Sequence, residues 1–197
     1  MMAALQGDYF VLERAGDSSV PLLKWRQESG EFRKGRAVVG QEAVQLQLLD
    51  PAPAEPKMVD HHALPDPVVS TRIRNVLRKF ELHDVQLIQA VVWIGNDVYV
   101  YWLVHIFNEV RCLDEEKSEV IRSPSRRFIH SIERLVLMEE VLAAIPLKER
   151  RVFALAESPS VNLFHREVVE EILALTPAVE GLRFVPAAEW TTDSAFE

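Results

Sequence analysis

The sequence predicts an α+β fold, a mostly antiparallel mixed sheet built round a central hairpin at about residues 85–107 and flanked by a few helices. Three observations carry this. Two runs rich in β-branched and aromatic residues, Val85 to Ile94 and Val98 to Phe107, flank Gly95-Asn96-Asp97, a turn signal that allows positive φ. Clear helical stripes fall in only a few short segments. Strands and helices do not alternate as βαβ units, and no internal repeat is present.

Taken in order, Tyr9 to Arg14 reads as a first strand. Gly16 to Gly35 is polar and loop-like, with Trp25 as an anchor. From Ala43 to Leu49, Val44, Leu46 and Leu48 alternate with Gln45 and Gln47, as in a strand buried on one face. Five of the eleven prolines lie between Pro51 and Pro67, where neither a helix nor a central strand can continue. Ser70 is placed to cap a helix running to Phe80, with Ile73, Val76, Leu77 and Phe80 inward and Arg72, Arg74, Arg78 and Lys79 on a solvated face. Val98 to Phe107 is apolar except at His105, which predicts a strand buried on both faces.

Leu113 to Val120 is expected to be a short helix, whose N-terminal dipole Asp114, Glu115 and Glu116 would complement. Ile132 to Met138 reads as a strand, Glu139 to Ile145 as a helix ended by Pro146, and Val152 to Ala156 as a strand. The last helix, Arg166 to Leu175, turns Val168, Val169, Ile172 and Leu173 inward and Glu167, Glu170 and Glu171 outward, and Pro177 stops it. Leu182 to Val185 supplies a final strand. We expect one domain over 1–197: a strand-rich segment at 1–50, a Pro-rich loop at 51–67 and a main body at 68–190.

Hydrophobic content of 48% and charged content of 26% are ordinary for a soluble globular protein. No apolar run approaches the roughly 20 residues of a membrane span, so no membrane association is expected. The start, MMAALQGDYF, lacks a basic n-region and an apolar h-region, and Cys112 is the one cysteine. Together these predict a cytoplasmic location. A net charge of −8, with 11 acidic against 5 basic side chains after residue 138, argues against nucleic acid as a direct partner.

Signatures of catalysis are missing. There is no GxGxxG, no Gly-rich loop ending in Gly-Lys-Ser, no GxSxG, no HExxH and no CxxC. His61 and His62 are adjacent and would point apart, so no metal or cofactor is expected. His105 and Cys112 are read as a hydrogen-bonded core histidine and a small buried hydrophobe rather than a catalytic pair. The paired carboxylates at 114–116, 139–140 and 170–171 are read as helix-start or helix-surface groups.

Tyr101-Trp102, His105, Asn108-Glu109, Cys112-Leu113-Asp114 and Glu116-Lys117-Ser118 resemble the central signature of a bacterial immunity family, the eleventh such group encoded beside polymorphic toxins. Leu64-Pro-Asp-Pro-Val-Val-Ser-Thr-Arg-Ile and Val85-Gln-Leu-Ile fit the same pattern, as do Ser131-Ile-Glu-Arg-Leu-Val-Leu, Pro159-Ser-Val-Asn-Leu-Phe and Gly181-Leu-Arg-Phe-Val-Pro. The likeness runs from about residue 60 to the end. It implies a non-enzymatic protein that binds and neutralises a cognate toxin, and relatives of this kind sit beside secreted toxins with nuclease-like domains. Asp114, Glu115, Glu116, Glu167, Glu170 and Glu171 are the expected partner-binding residues, on the ground that an acidic surface attracts a basic cleft. Two other classes stay open at this point. One is a small enzyme using Asp60, His61, His62 and His105. The other is an oligomeric structural protein, to which Trp25 and Trp190, expected to be exposed, and the first 60 residues would contribute.

Overall fold

The structure is a computed structural model that describes residues 5–40, 42–125 and 128–196. The chain runs through β1 (Tyr9–Arg14), β2 (Leu23–Trp25), β3 (Val44–Leu48), β4 (His61–His62) and β5 (Val68–Val69) into α1 (Thr71–Arg78). The central hairpin follows as β6 (Val85–Ile94) and β7 (Asp97–Ile106), then β8 (Glu109–Val110), β9 (Glu119–Arg122) and β10 (Ile129–Arg134). Last come α2 (Glu139–Ala144), β11 (Val152–Leu155), β12 (Ser158–His165), α3 (Arg166–Leu173) and β13 (Leu182–Pro186). The α+β expectation holds, with strands dominating three short helices.

The strands form a five-stranded sheet, β13-β1-β12-β11-β8, a six-stranded sheet, β2-β3-β6-β7-β5-β4, and a separate β9–β10 hairpin. All pairings are antiparallel except β11 with β8 and β3 with β6. Strands from before residue 50 enter both large sheets. β1 lies between β12 and β13, and β3 lies against β6.

Period-two alternation sorts the side chains into three cores. Between the two large sheets, α1 contributes Ile73, Val76 and Leu77 and α3 contributes Val168, Val169 and Ile172, packed on Val104 of β7 and Phe164 of β12. On the far face of the five-stranded sheet, Tyr9, Val11, Phe153 and Leu163 meet Leu142, Ile132 and Trp190. On the far face of the six-stranded sheet, Leu46, Val92, Tyr101 and Leu103 meet Leu23 and Phe32. The central hairpin pairs in one unbroken register from Val85↔Ile106 to Ile94↔Asp97, and Gly95 supplies the positive φ of 58° that its two-residue turn needs.

Several expectations change. Leu113 to Val120 is no helix: Glu115 to Lys117 form a turn, and β9 begins at Glu119. Asp114 instead closes this turn: its Oδ1 accepts the backbone N–H groups of Glu116 and Lys117 at 3.2 Å each, a local alternative to helix. The strand expected at 132–138 is shifted to Ile129–Arg134, with Leu137 making only an isolated bridge to Leu113. The polar stretch 16–35 hides β2, and β12 reads weakly because Ser158, Pro159 and Ser160 open it. Ser70 immediately precedes α1, but its hydroxyl donates to Asp60 Oδ1 (2.7 Å) rather than capping the helix. Trp190, expected to be exposed, is buried and donates its indole N–H to Glu13 Oε1 (2.7 Å).

Candidate partner-binding surface

The groups that could do chemistry are interior and dispersed. His61 and His62 are buried, and successive strand residues face opposite ways. Because a carbonyl only accepts, His61 Nδ1–H donates to Gly181 O (3.1 Å) and His62 Nδ1–H donates to Pro21 O (3.0 Å). Burial pushes His61 down to about 4 and lowers His62 as well, so both are neutral imidazoles at neutral pH. His105 Nε2 donates to Arg36 O (3.0 Å), and its ring packs on Phe32 and Phe107. Cys112 belongs to the core on the far side of the five-stranded sheet. Burial, helped by the nearby Glu157 carboxylate, pushes its thiol up to about 12. Asp60 accepts from Ser70, from Arg72 twice (2.8 Å) and from the Glu180 backbone N–H, which makes it a tie between α1 and the approach to β13. Among the described residues, no group of three or more His, Cys, Asp or Glu side chains could hold a metal ion.

The six expected carboxylates occupy two exposed places. In the turn after β8, Asp114 Oδ2 pairs with Lys117 (2.7 Å) and Glu115 pairs with Arg122 (2.5 Å). On α3, Glu167 pairs with Arg151 (3.2 Å) and Glu171 with Lys79 (3.3 Å). Among the described residues, only Glu116 and Glu170 of the six form no ion pair. Four of the six charges are thus locally compensated, which shortens the reach of the acidic field.

A different surface stands out on the hairpin. The β6–β7 register puts Leu87 and Val104 on the face covered by α1 and α3, and the same face continues outward through Val91, Trp93, Val98 and Val100. Past Trp102 neither helix covers it, and only Val91 and Trp93 are half-buried there. Val98 is 48% and Val100 53% exposed, so the strand expected to be buried on both faces is open over its first half. The cause is length: β6 and β7 have ten residues each, whereas α1 and α3 have eight and span only the other end.

Guanidiniums lie on the rings of this face. Arg26 stacks over Trp93 at 4.6 Å from the ring centre, and Trp93 donates its indole N–H to Gln45 Oε1 (2.7 Å). Arg74 stacks over Trp102 at 4.1 Å, and Trp102 donates to Thr71 Oγ1 (3.1 Å). The edge of β7 is also open. β5 pairs only with Leu103 and Trp102, and Val104 N–H is bonded to Pro67 O, so by the two-residue period the outward amides of Val98 and Val100 meet no strand among the described residues. The sequence reading missed this surface because an unbroken apolar run does not show which of its residues lack a cover.

A family model described as an immunity protein family, Imm11, matches residues 8–189 of the chain. No curated protein matches it.

Proposed function

The chain belongs to the Imm11 immunity protein family, and from that premise we propose that it protects the cytoplasm by binding a cognate, co-encoded toxin one for one and occluding it, without turnover. The family match over 8–189 carries this reading. The interior supports it. Signature residues serve as scaffold: Tyr101 donates its hydroxyl to Val59 O (2.8 Å), and Asn108 Nδ2 ties Glu149 O and Val152 O (2.7 and 2.9 Å). Ser118 bonds both the N–H and the C=O of Val136. Such residues hold a frame, which leaves recognition to the exposed surface.

Rescue titration tests the proposal. Cells expressing the toxin domain of the adjoining reading frame should survive when this chain is co-expressed at equal or greater molar amounts, and the two proteins should co-purify. Full protection by trace amounts, lost on replacing His61, His62, His105 or Cys112 in a folded variant, would establish an enzyme instead. A second contact reading rests on Glu116 and Glu170, the two of those six carboxylates that form no ion pair among the described residues. In it the acidic residues 114–116 and 167–171 meet a basic cleft of a nuclease-like toxin. Glu116→Lys with Glu170→Lys breaks no internal pair and should then slow association.

A further inference from the structure

Resting on the immunity reading, we propose that the open outer half of the β6–β7 hairpin is the toxin-docking face, and that the toxin meets it with an apolar ridge flanked by carboxylates. The partner's contact surface would thus carry the same sign of charge as this chain as a whole.

The first argument is apolar area. Antiparallel sheets that face water are expected to present polar residues there, and Gln89 and Gln45 do so on this face. Val91, Trp93, Val98 and Val100 break that rule together, in adjacent cross-strand pairs Val91↔Val100 and Trp93↔Val98. A contiguous apolar face centred on tryptophan is the composition of an interface centre, where aromatic residues and arginine carry most of the binding energy.

The second argument is charge, and it selects the partner. Most basic side chains elsewhere are matched: Arg72 to Asp60, Lys79 to Glu171, Arg122 to Glu115, Arg151 to Glu167. Arg26 and Arg74 form no ion pair among the described residues, and both lie on rings of this face, whereas the other arginines without an ion pair, such as Arg150 against Tyr9, sit elsewhere. Arg74 is further constrained, since its Nε is buried without a hydrogen-bond partner and Arg78 repels it. Planar guanidiniums held against rings keep their outer N–H groups directed for bidentate carboxylate capture. A second copy of this chain fits worse, because it would bring the same unpaired guanidiniums against one another, with Asp97 at the turn as the nearest carboxylate on the hairpin.

Three double variants of the full chain test this against the adjoining toxin domain, by binding kinetics and by rescue. Val98→Glu with Val100→Glu alters exposed positions and should leave the melting temperature nearly unchanged while weakening binding at least a hundredfold. Val98→Lys with Val100→Lys should weaken it at least tenfold less than the Glu pair, because the facing charge is negative. Glu116→Lys with Glu170→Lys should change binding less than about threefold. Equal binding by wild type and the Val→Glu pair overturns the docking face while leaving the immunity reading intact. A Lys pair worse than the Glu pair overturns the acidic partner. Failure of the wild type to bind or protect overturns the immunity reading, and this inference with it. A wild-type dimer in light scattering, made monomeric by the Val→Glu pair with toxin binding unchanged, assigns the face to self-association and also overturns the proposal.

Discussion

Acid should cost this protein stability through His61, against the opposite contribution of Asp66, whose carboxyl burial pushes up to about 6 and which wild type and a His61→Leu variant share. His61 Nδ1–H is committed to Gly181 O, and its Nε2 is buried with no partner. A proton added at Nε2 would create a buried cation whose new N–H has no acceptor, which is why burial drives the imidazole down to about 4. The unfolded chain takes up that proton near the ordinary histidine value of about 6.5. Between those two values the unfolded state binds more protons than the folded one, so stability falls as pH drops through this window. From pH 8 to pH 5 the linkage amounts to about 2 kcal/mol. His62, lowered by burial too, adds in the same direction. Urea unfolding of wild type and His61→Leu across pH 5–8 measures the effect. The variant should start about 1–3 kcal/mol less stable at pH 8, with Gly181 O left without its donor, but wild type should then lose about 2 kcal/mol more than the variant on reaching pH 5. Parallel pH profiles for the two proteins would refute the reasoning.

Asp60→Ala should destabilise the protein by about 2 kcal/mol at pH 7, discounting a buried pair for its partial exposure. Burial opposes ionisation of Asp60, but the hydrogen bonds from Arg72, Ser70 and the Glu180 amide outweigh it and lower its pKa. The stabilisation is therefore present above the unfolded value of about 3.9 and fades as pH falls through the folded one, so the wild-type and variant midpoints in urea should converge below about pH 4. Native Cys112, buried and pushed up to about 12, should resist a disulfide-exchange reagent at pH 8 and react stoichiometrically once urea unfolds the chain. Rapid labelling of the native protein would contradict its burial.

Much of the frame was legible because local and tertiary signals agreed. The hairpin announced itself through Gly95 and two apolar runs, and α1 and α3 through stripes that face the central core except at Leu173, which the sequence placed inward but which ends α3 53% exposed. The errors arose where a short-range signal had two uses. Asp114 followed by two glutamates suits a helix start, yet the same carboxylate can accept two turn amides, and that alternative prevails. His165 shows the reverse: no hydroxyl or carboxylate precedes α3, and the imidazole Nδ1 accepts from the Glu167 N–H at 3.3 Å. The candidate surface was least legible. A face is defined by what packs on it, and the lengths of α1 and α3 relative to β6 and β7 emerge only from the assembled sheets.

The unpaired margin of β7 has a consequence for the life of the protein before it meets anything. Exposed strand margins of valine and tyrosine, with free amides and one charged residue, Asp97, at the end, are templates for fibril-like stacking. At the ends of the two large sheets, β4 and β8 have two residues each, β2 has three, and β13 has five, closed by Pro186. When the chain is made in excess, its solubility should therefore depend in part on the β7 margin. Charge at Val98 or Val100 should raise the amount that stays in solution. Occupancy of the same margin by a partner would act as a chaperone for it, making solubility and protection two readouts of one contact.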